Sequence, residues 1–173
     1  MTRPPSGETR EQHEQATARD QPDLHVVLVA PEIPPNTGTT ARLCAATTTR
    51  LHLVGPLGFS LEDRYLRRAG LDYWPHVDLE VHRDWTDFRA RHPDASLRLF
   101  SAKAARSYTE VDYRTGDFLV FGGETRGLPS DILDAHADRA YLIPMTSPHV
   151  RSLNLANAAA IVLYEALRQL GRT

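Results

Sequence analysis

An α/β fold, with a mainly parallel sheet covered by helices on both faces, is predicted by two observations. From Leu24 onward, short apolar runs of strand length alternate with helical patterns. Three segments rich in Gly, Pro, Asn and Ser stand where predicted strands end: PEIPPNTGTTARLC at Pro31–Cys44, FGGETRGLP at Phe121–Pro129, and IPMTSPHVRSLNLANAAAIVLYEA at Ile143–Ala166. Ligands bind beyond the carboxyl ends of strands on such sheets, so the three segments are expected to build one composite site.

The elements follow in order. HVVLVA (His25–Ala30) reads as a buried strand, Asn36 to Thr48 as a helix and LHLVG (Leu51–Gly55) as a second strand. A short helix is expected over Glu62–Ala69 and a third strand over His76–Val81, where apolar residues alternate. Asp84 is a capping residue for a helix through His92, with Trp85 and Phe88 about one turn apart. LRLFSA (Leu97–Ala102), DFLVFG (Asp117–Gly122) and AYLIP (Ala140–Pro144) complete the strands. Pro129 opens a helix through Ala135, and Ser152 caps the last and longest helix, ending at Leu170. That helix carries Leu153, Ala156, Ala159, Ala160, Leu163, Leu167 and Leu170 in one stripe, with Ile161, Val162 and Tyr164 beside it. Apolar surface on several sides wants two partners: the sheet, and either more of the same chain or a second subunit.

The chain of 173 residues fits one domain, assigned to 24–171. Met1–Asp23 has almost no large apolar residue and is expected to be a disordered tail. No apolar run reaches membrane-span length and the amino terminus lacks a signal-like apolar centre, so no membrane association and a cytoplasmic location are expected. One cysteine, Cys44, excludes an internal disulfide and a multi-thiolate zinc site. Eight histidines show no short-range ligand spacing, so no metal is expected. Outside the tail, basic and acidic residues balance at 17 each, and Lys103 is the only lysine. Arg64, Arg67 and Arg68 cluster in EDRYLRRAG, either as a solvated helix face or as planar phosphate-binding groups.

In the first segment Pro34 and Pro35 stiffen the strand exit and Asn36 is placed to accept hydrogen bonds at the helix start. Gly38 allows close approach, and Arg42 lies one turn on. In the second, Gly122 and Gly123 expose backbone to a flat ligand, with Glu124 as an acceptor and Gly127 completing the turn. The spacing is not that of a dinucleotide-binding loop. In the third, Asn154 and Asn157 share one helix face, and a capping role for Ser152 leaves both unexplained.

Together these motifs resemble the SPOUT superfamily of RNA methyltransferases, in its TrmH-like branch, over essentially all of Leu24–Gly171. Asn36-Thr37-Gly38 with Arg42 is similar to the family's first motif, Gly122–Pro129 to its second and Ser152–Asn157 to its third. PEIPPNTG, RLHLVGPLGF, LRRAGLDYW, ETRGLP and RSLNLANA further resemble the minimal tRNA 2′-O-methyltransferases that act on wobble position 34. The resemblance implies a deep C-terminal trefoil knot, which folding rules alone would argue against, and an obligate homodimer. It implies S-adenosylmethionine as cofactor, bound by Ala102, Gly122, Gly123, Gly127, Ile143, Met145, Ser152 and Leu153. It implies catalysis by Arg42, Asn36, Glu124, Ser152 and Asn154, and contacts to the tRNA anticodon stem-loop from Arg42, Arg126, Arg151, Arg64, Arg67 and Arg68. A guanidinium rarely gives up its proton, so Arg42 is expected to donate rather than act as general base, and the base is left open. An rRNA ribose methyltransferase of the same fold and a non-catalytic RNA-binding knot protein are the alternative readings.

Overall fold

The structure, a computed structural model, describes residues 24–62 and 73–173. The expected tail and the helix over 62–69, apart from its first residue, lie outside them.

Among the described residues seven strands form one sheet: β1 (Leu24–Val29), β2 (Arg50–Val54), β3 (Leu79–His82), β4 (Ser96–Phe100), β5 (Arg106–Ser107), β6 (Asp117–Gly122) and β7 (Ala140–Leu142). Their spatial order is β3-β2-β1-β6-β4-β7-β5, and every pairing is parallel. The helices are α1 (Pro34–Ala46), α2 (Trp85–Arg91), α3 (Ser130–Ala135) and α4 (Leu155–Gln169). Strand alternation sorts the core into two layers. Val26, Leu28, Leu51, Leu53 and Leu119 pack with Ala41 and Cys44 of α1 and with Ala159, Val162, Leu163 and Ala166 of α4. Val27, Val29, Val54, Leu99 and Val120 pack with Phe88 of α2 and Ile132 of α3 on the other face. Helices on both faces explain why the central strands read as continuous apolar runs.

Several boundaries differ from the sequence reading. Residues 74–76 form a 3₁₀ turn, and the third strand begins at Leu79, where pairing with Leu51 starts. The two-residue strand β5 was not anticipated, being too short to show a periodicity. Helix α1 starts earlier than expected: Ile33 is its N-cap and Pro34 and Pro35 occupy the first turn. Proline fits there because its missing N–H would have had no intrahelical partner. Asn36 is therefore not the cap. Asp84 does cap α2, its carboxylate accepting from the Asp87 N–H at 2.8 Å. Helix α4 is capped by Asn154 rather than Ser152: Asn154 Oδ1 accepts from the N–H groups of Ala156 (3.0 Å) and Asn157 (3.2 Å). Ser152 lies in the loop before the cap.

Histidines occupy part of the second core layer. His25 of β1, His52 of β2 and His82 of β3 are buried, linked by ring-nitrogen contacts of 2.9 Å (His25–His52) and 3.0 Å (His52–His82). Burial holds His25 down to about 4 and His52 down to about 2, so both rings are neutral at physiological pH.

Candidate active site

The chain builds outward from β1 to β2 and β3, then crosses to β4 on the other side of the sheet. The loops leaving β1, β6, β4 and β7, four neighbouring strands, meet at this reversal and enclose a cavity of about 960 Å³. A crevice beyond the strand ends at a topological switch point is the usual ligand site of an open parallel sheet.

Glu124, just past β6, holds the β1 loop. Its carboxylate accepts from the Glu32 N–H (2.7 Å), the Ile33 N–H (3.2 Å) and the Asn36 side-chain amide (2.9 Å). Asn36 Oδ1 in turn accepts from Asn154 Nδ2 at 2.9 Å. The polarity of this chain is fixed from both ends. Backbone N–H groups occupy Asn154 Oδ1, so its NH₂ must donate; the Glu124 carboxylate only accepts, so the Asn36 NH₂ must face it. Glu124, Asn36 and Asn154 thus form one directed hydrogen-bond line from β6, through α1, to the start of α4. Glu32 makes the reciprocal tie, accepting from the Thr125 hydroxyl (2.6 Å) and N–H (3.2 Å). The Thr125 hydroxyl holds the Glu32 carboxyl below its ordinary range, with the Thr125 N–H adding to it.

The glycines have two distinct jobs. A Cβ on Gly122 would lie 2.0 Å from Gly127 C and Leu128 N, and one on Gly123 would lie 2.5 Å from Ala30 O. Both glycines let the loop fold back on its own and neighbouring backbone, closed by Gly127 N–H to Gly123 O at 2.9 Å. Gly127 has φ of +69° and open space where its Cβ would point. The expectation that Gly122 and Gly123 serve to expose backbone to a flat ligand is corrected: the space beside each is filled by the protein's own backbone.

Asn36, Ala102, Gly122, Gly123, Glu124, Arg126, Gly127, Ile143, Met145, Arg151, Ser152, Leu153 and Asn154 all line the cavity. Arg42 does not. It stands exposed on α1 with its guanidinium carbon 5.5 Å from the Tyr73 ring centroid, and the Tyr73 hydroxyl donates to Gly38 O at 3.1 Å. Arg64, Arg67 and Arg68 lie outside the described residues. Two contributors, Lys103 and Glu32, were missed, and Ser101 and Thr125 fall inside expected loops without having been singled out. Ser101 and Lys103 line the cavity from the loop after β4, while Glu32 and Thr125 brace two loops against each other. Glu32 stands inside the first motif, but only the fold reveals that its partner lies 93 positions away.

Known proteins resemble the chain in both sequence and fold. Residues 23–164 match the model of the SpoU rRNA Methylase family. The chain is 48% identical over 149 residues to the tRNA (cytidine(34)-2′-O)-methyltransferase of Escherichia coli (strain K12), covering 86% of this chain and 94% of that one. A solved structure described in connection with the 2-OH methylation of C/U34 on tRNA superposes with a TM-score of 0.82 and 49% identity, covering 87% of this chain and 97% of that one. An AdoMet-bound rRNA methyltransferase from Sinorhizobium meliloti superposes with a TM-score of 0.77 at 26% identity, covering 87% of this chain and 58% of the other. With the family model spanning nearly the whole described domain, the chain belongs to the SpoU methylase family.

Proposed function

We propose that this protein transfers a methyl group from S-adenosylmethionine to the ribose 2′-hydroxyl of the wobble nucleotide, position 34, in the anticodon stem-loop of tRNA, the base being cytidine or a modified uridine. The observation that carries this reading is the cavity at the β1–β6 reversal, walled by backbone and closed by the Glu124–Asn36–Asn154 line, in a chain about half identical to proteins named for that reaction.

The cavity suits the cofactor chemically. Gly122, Gly123, Gly127 and Ala102 leave main-chain donors and acceptors for a nucleoside, and Ile143, Met145 and Leu153 give apolar walls for a flat ring and a thioether-like chain. When bound, S-adenosylmethionine supplies a methyl group already activated by its sulfonium. What remains for the protein is to orient the attacking oxygen and manage its proton. Glu124 is occupied by three donors, so its role is to hold the β1 loop in place rather than to take a proton. Asn36, locked between Glu124 and Asn154, presents a rigid polar edge to the cavity. Arg126 and Arg151 at the lining, with Lys103, meet phosphate. Arg42, outside its own chain's cavity, is assigned to the RNA side as a fixed donor that steadies phosphate or developing negative oxygen.

Two further features belong to this reading. A trefoil knot at the carboxyl end is supported by β7, later in the chain than both, lying between β4 and β5, and by the tie from Asn154 back to Asn36. A homodimer through α4 is supported by Ile161 and Tyr164, 37% and 51% exposed one turn apart on a helix whose other face is core. A cytoplasmic site of action fits a tRNA substrate; among the described residues no helix is long and apolar enough to cross a membrane.

The test is methyl transfer from labelled S-adenosylmethionine to unmodified tRNA transcripts and to rRNA fragments, with Arg42→Ala alongside. Label at nucleotide 34 of tRNA, lost in Arg42→Ala while cofactor affinity is kept, is expected. Label confined to rRNA would overturn the substrate, and full turnover by Arg42→Ala would make it an ordinary surface residue.

A further inference from the structure

The second core layer holds a cluster of histidines that methyl transfer does not use. Parallel register sets His52 of β2 against Glu80 of β3, and strand alternation puts His82, two residues on, on the same face as Glu80. His92, immediately after α2, is brought over that face by Phe88, which packs against both His52 and His82. The three rings of His52, His82 and His92 stand with centroids 5.0–5.5 Å apart. One ligand atom from each of His52, Glu80, His82 and His92 lies within 4.8 Å of all the others. The individual separations are 3.0 Å for His52 Nδ1 to His82 Nε2 and 3.6 Å for His52 Nδ1 to Glu80 Oε2. Glu80 lies 3.8 Å (Oε1) from His82 Nε2 and 3.2 Å (Oε2) from His92 Nε2.

These separations, 3.0–3.8 Å, bracket the ligand-to-ligand spacing around a tetrahedral metal. Zinc–nitrogen and zinc–oxygen bonds of about 2.0–2.1 Å place neighbouring ligands about 3.3–3.4 Å apart in tetrahedral geometry. We propose that His52, Glu80, His82 and His92 form a structural zinc site that clamps β2, β3 and the end of α2 together, remote from the methyl-transfer cavity. Three imidazoles and one carboxylate match the nitrogen and oxygen preference of zinc, and four protein ligands leave no open position for catalysis. Ligand orientation is prepared as well. With Nδ1 of His52 on the metal, its Nε2–H points at His25 Nδ1, 2.9 Å away, the kind of outer-shell hydrogen bond that fixes tautomer and ring angle in metal sites. Glu80 and His92 are partly exposed, with 27% and 20% of their side chains open to solvent, giving an ion a route in. None of these residues lines the methyl-transfer cavity. The competing arrangement is a metal-free relay, His82 to His52 to His25. In that arrangement Glu80 is held only at its rim, by His92 Nε2 at 3.2 Å and the Arg91 guanidinium at 3.6 Å, and its contacts to His52 and His82, at 3.6 and 3.8 Å, are too long for hydrogen bonds.

The test uses the full chain, stripped by chelator and dialysed. Calorimetric titration with Zn²⁺ is expected to give one ion per chain, and Co²⁺ to give the intense visible bands of a tetrahedral site. His92→Ala and Glu80→Gln, both at partly exposed positions, are expected to keep the native circular dichroism and weaken Zn²⁺ at least tenfold. His76→Ala, exposed and outside the cluster, is expected to bind as wild type does. Zn²⁺ should raise the melting temperature of wild type and not of His92→Ala. Absence of stoichiometric binding, or binding untouched by both cluster variants, would overturn the proposal and leave the relay.

Discussion

Gly122 shows most sharply what single residues do here. Its missing Cβ lets β6 turn straight into a loop whose backbone returns to 2.0 Å from where that Cβ would be. No rotamer relieves a clash of Cβ with backbone, so Gly122→Ala is expected to lose at least about 2 kcal/mol in urea unfolding. Gly127→Ala meets no atoms and carries only the cost of a left-handed residue, about 1–2 kcal/mol. Equal stability of Gly122→Ala and wild type would contradict the packing described. Asn154 allows capping to be separated from networking. Asn154→Asp still accepts from the Ala156 and Asn157 N–H groups but cannot donate to Asn36, whose amide would turn from Glu124. The variant is expected to hold its stability within about 1 kcal/mol and to lose methyl transfer roughly tenfold or more, a loss of about 1.4 kcal/mol in barrier terms. Unchanged turnover would remove the hydrogen-bond line from the chemistry. Residue types were legible in sequence: Gly122, Asn36, Glu124 and Asn154 all stand out in polar or glycine-rich stretches. Their partners were not. A cap at Ser152 and one at Asn154 look alike until the helix start is known, and Glu124 meets Asn36 across 88 positions.

At the level of elements, the long helix α4 carries the largest consequence. Leu155, Ala159, Val162, Leu163, Ala166 and Leu167 bury one side against the sheet, leaving Ile161 and Tyr164 outside. If that stripe seats a second copy, Tyr164→Asp should convert a dimer to a monomer by sedimentation at low micromolar concentration, because a charge would enter a desolvated contact. A wild-type monomer that still methylates RNA would contradict the dimer. The alternation of strands and helices was readable because both faces of the sheet are covered and the central strands β1 and β6 are mostly apolar runs. Where that signal is thin, the reading slipped: β3 begins three residues later than expected, and β5 is only two residues long. The histidines escaped for a related reason. His52, Glu80, His82 and His92 come from two strands and a helix end, so register, which local spacing does not encode, brings them together.

For the whole molecule, the order β3-β2-β1-β6-β4-β7-β5 is what assembles the cavity. Inserting β6 between β1 and β4 places the Gly122–Gly127 turn beside the first motif, and β7 brings the third motif down on top of both. Three segments that look unrelated along the chain become one site because their strands are neighbours. This much of the site could be anticipated from strand-end composition; the β4 loop carries no distinguishing pattern, so only the family resemblance pointed to it, at Ala102, and Lys103 went unnoticed. Arg42 sits apart from that cavity, and its assignment to the RNA side stands or falls with the substrate. The most direct measurement is a map of ribose 2′-O-methylation in tRNA from cells with and without this chain. Methylation at nucleotide 34 that disappears with the gene and returns with the wild-type protein, but not with Asn154→Asp, is the predicted result. An unchanged position 34, with methylation lost at another tRNA or rRNA site, would contradict it.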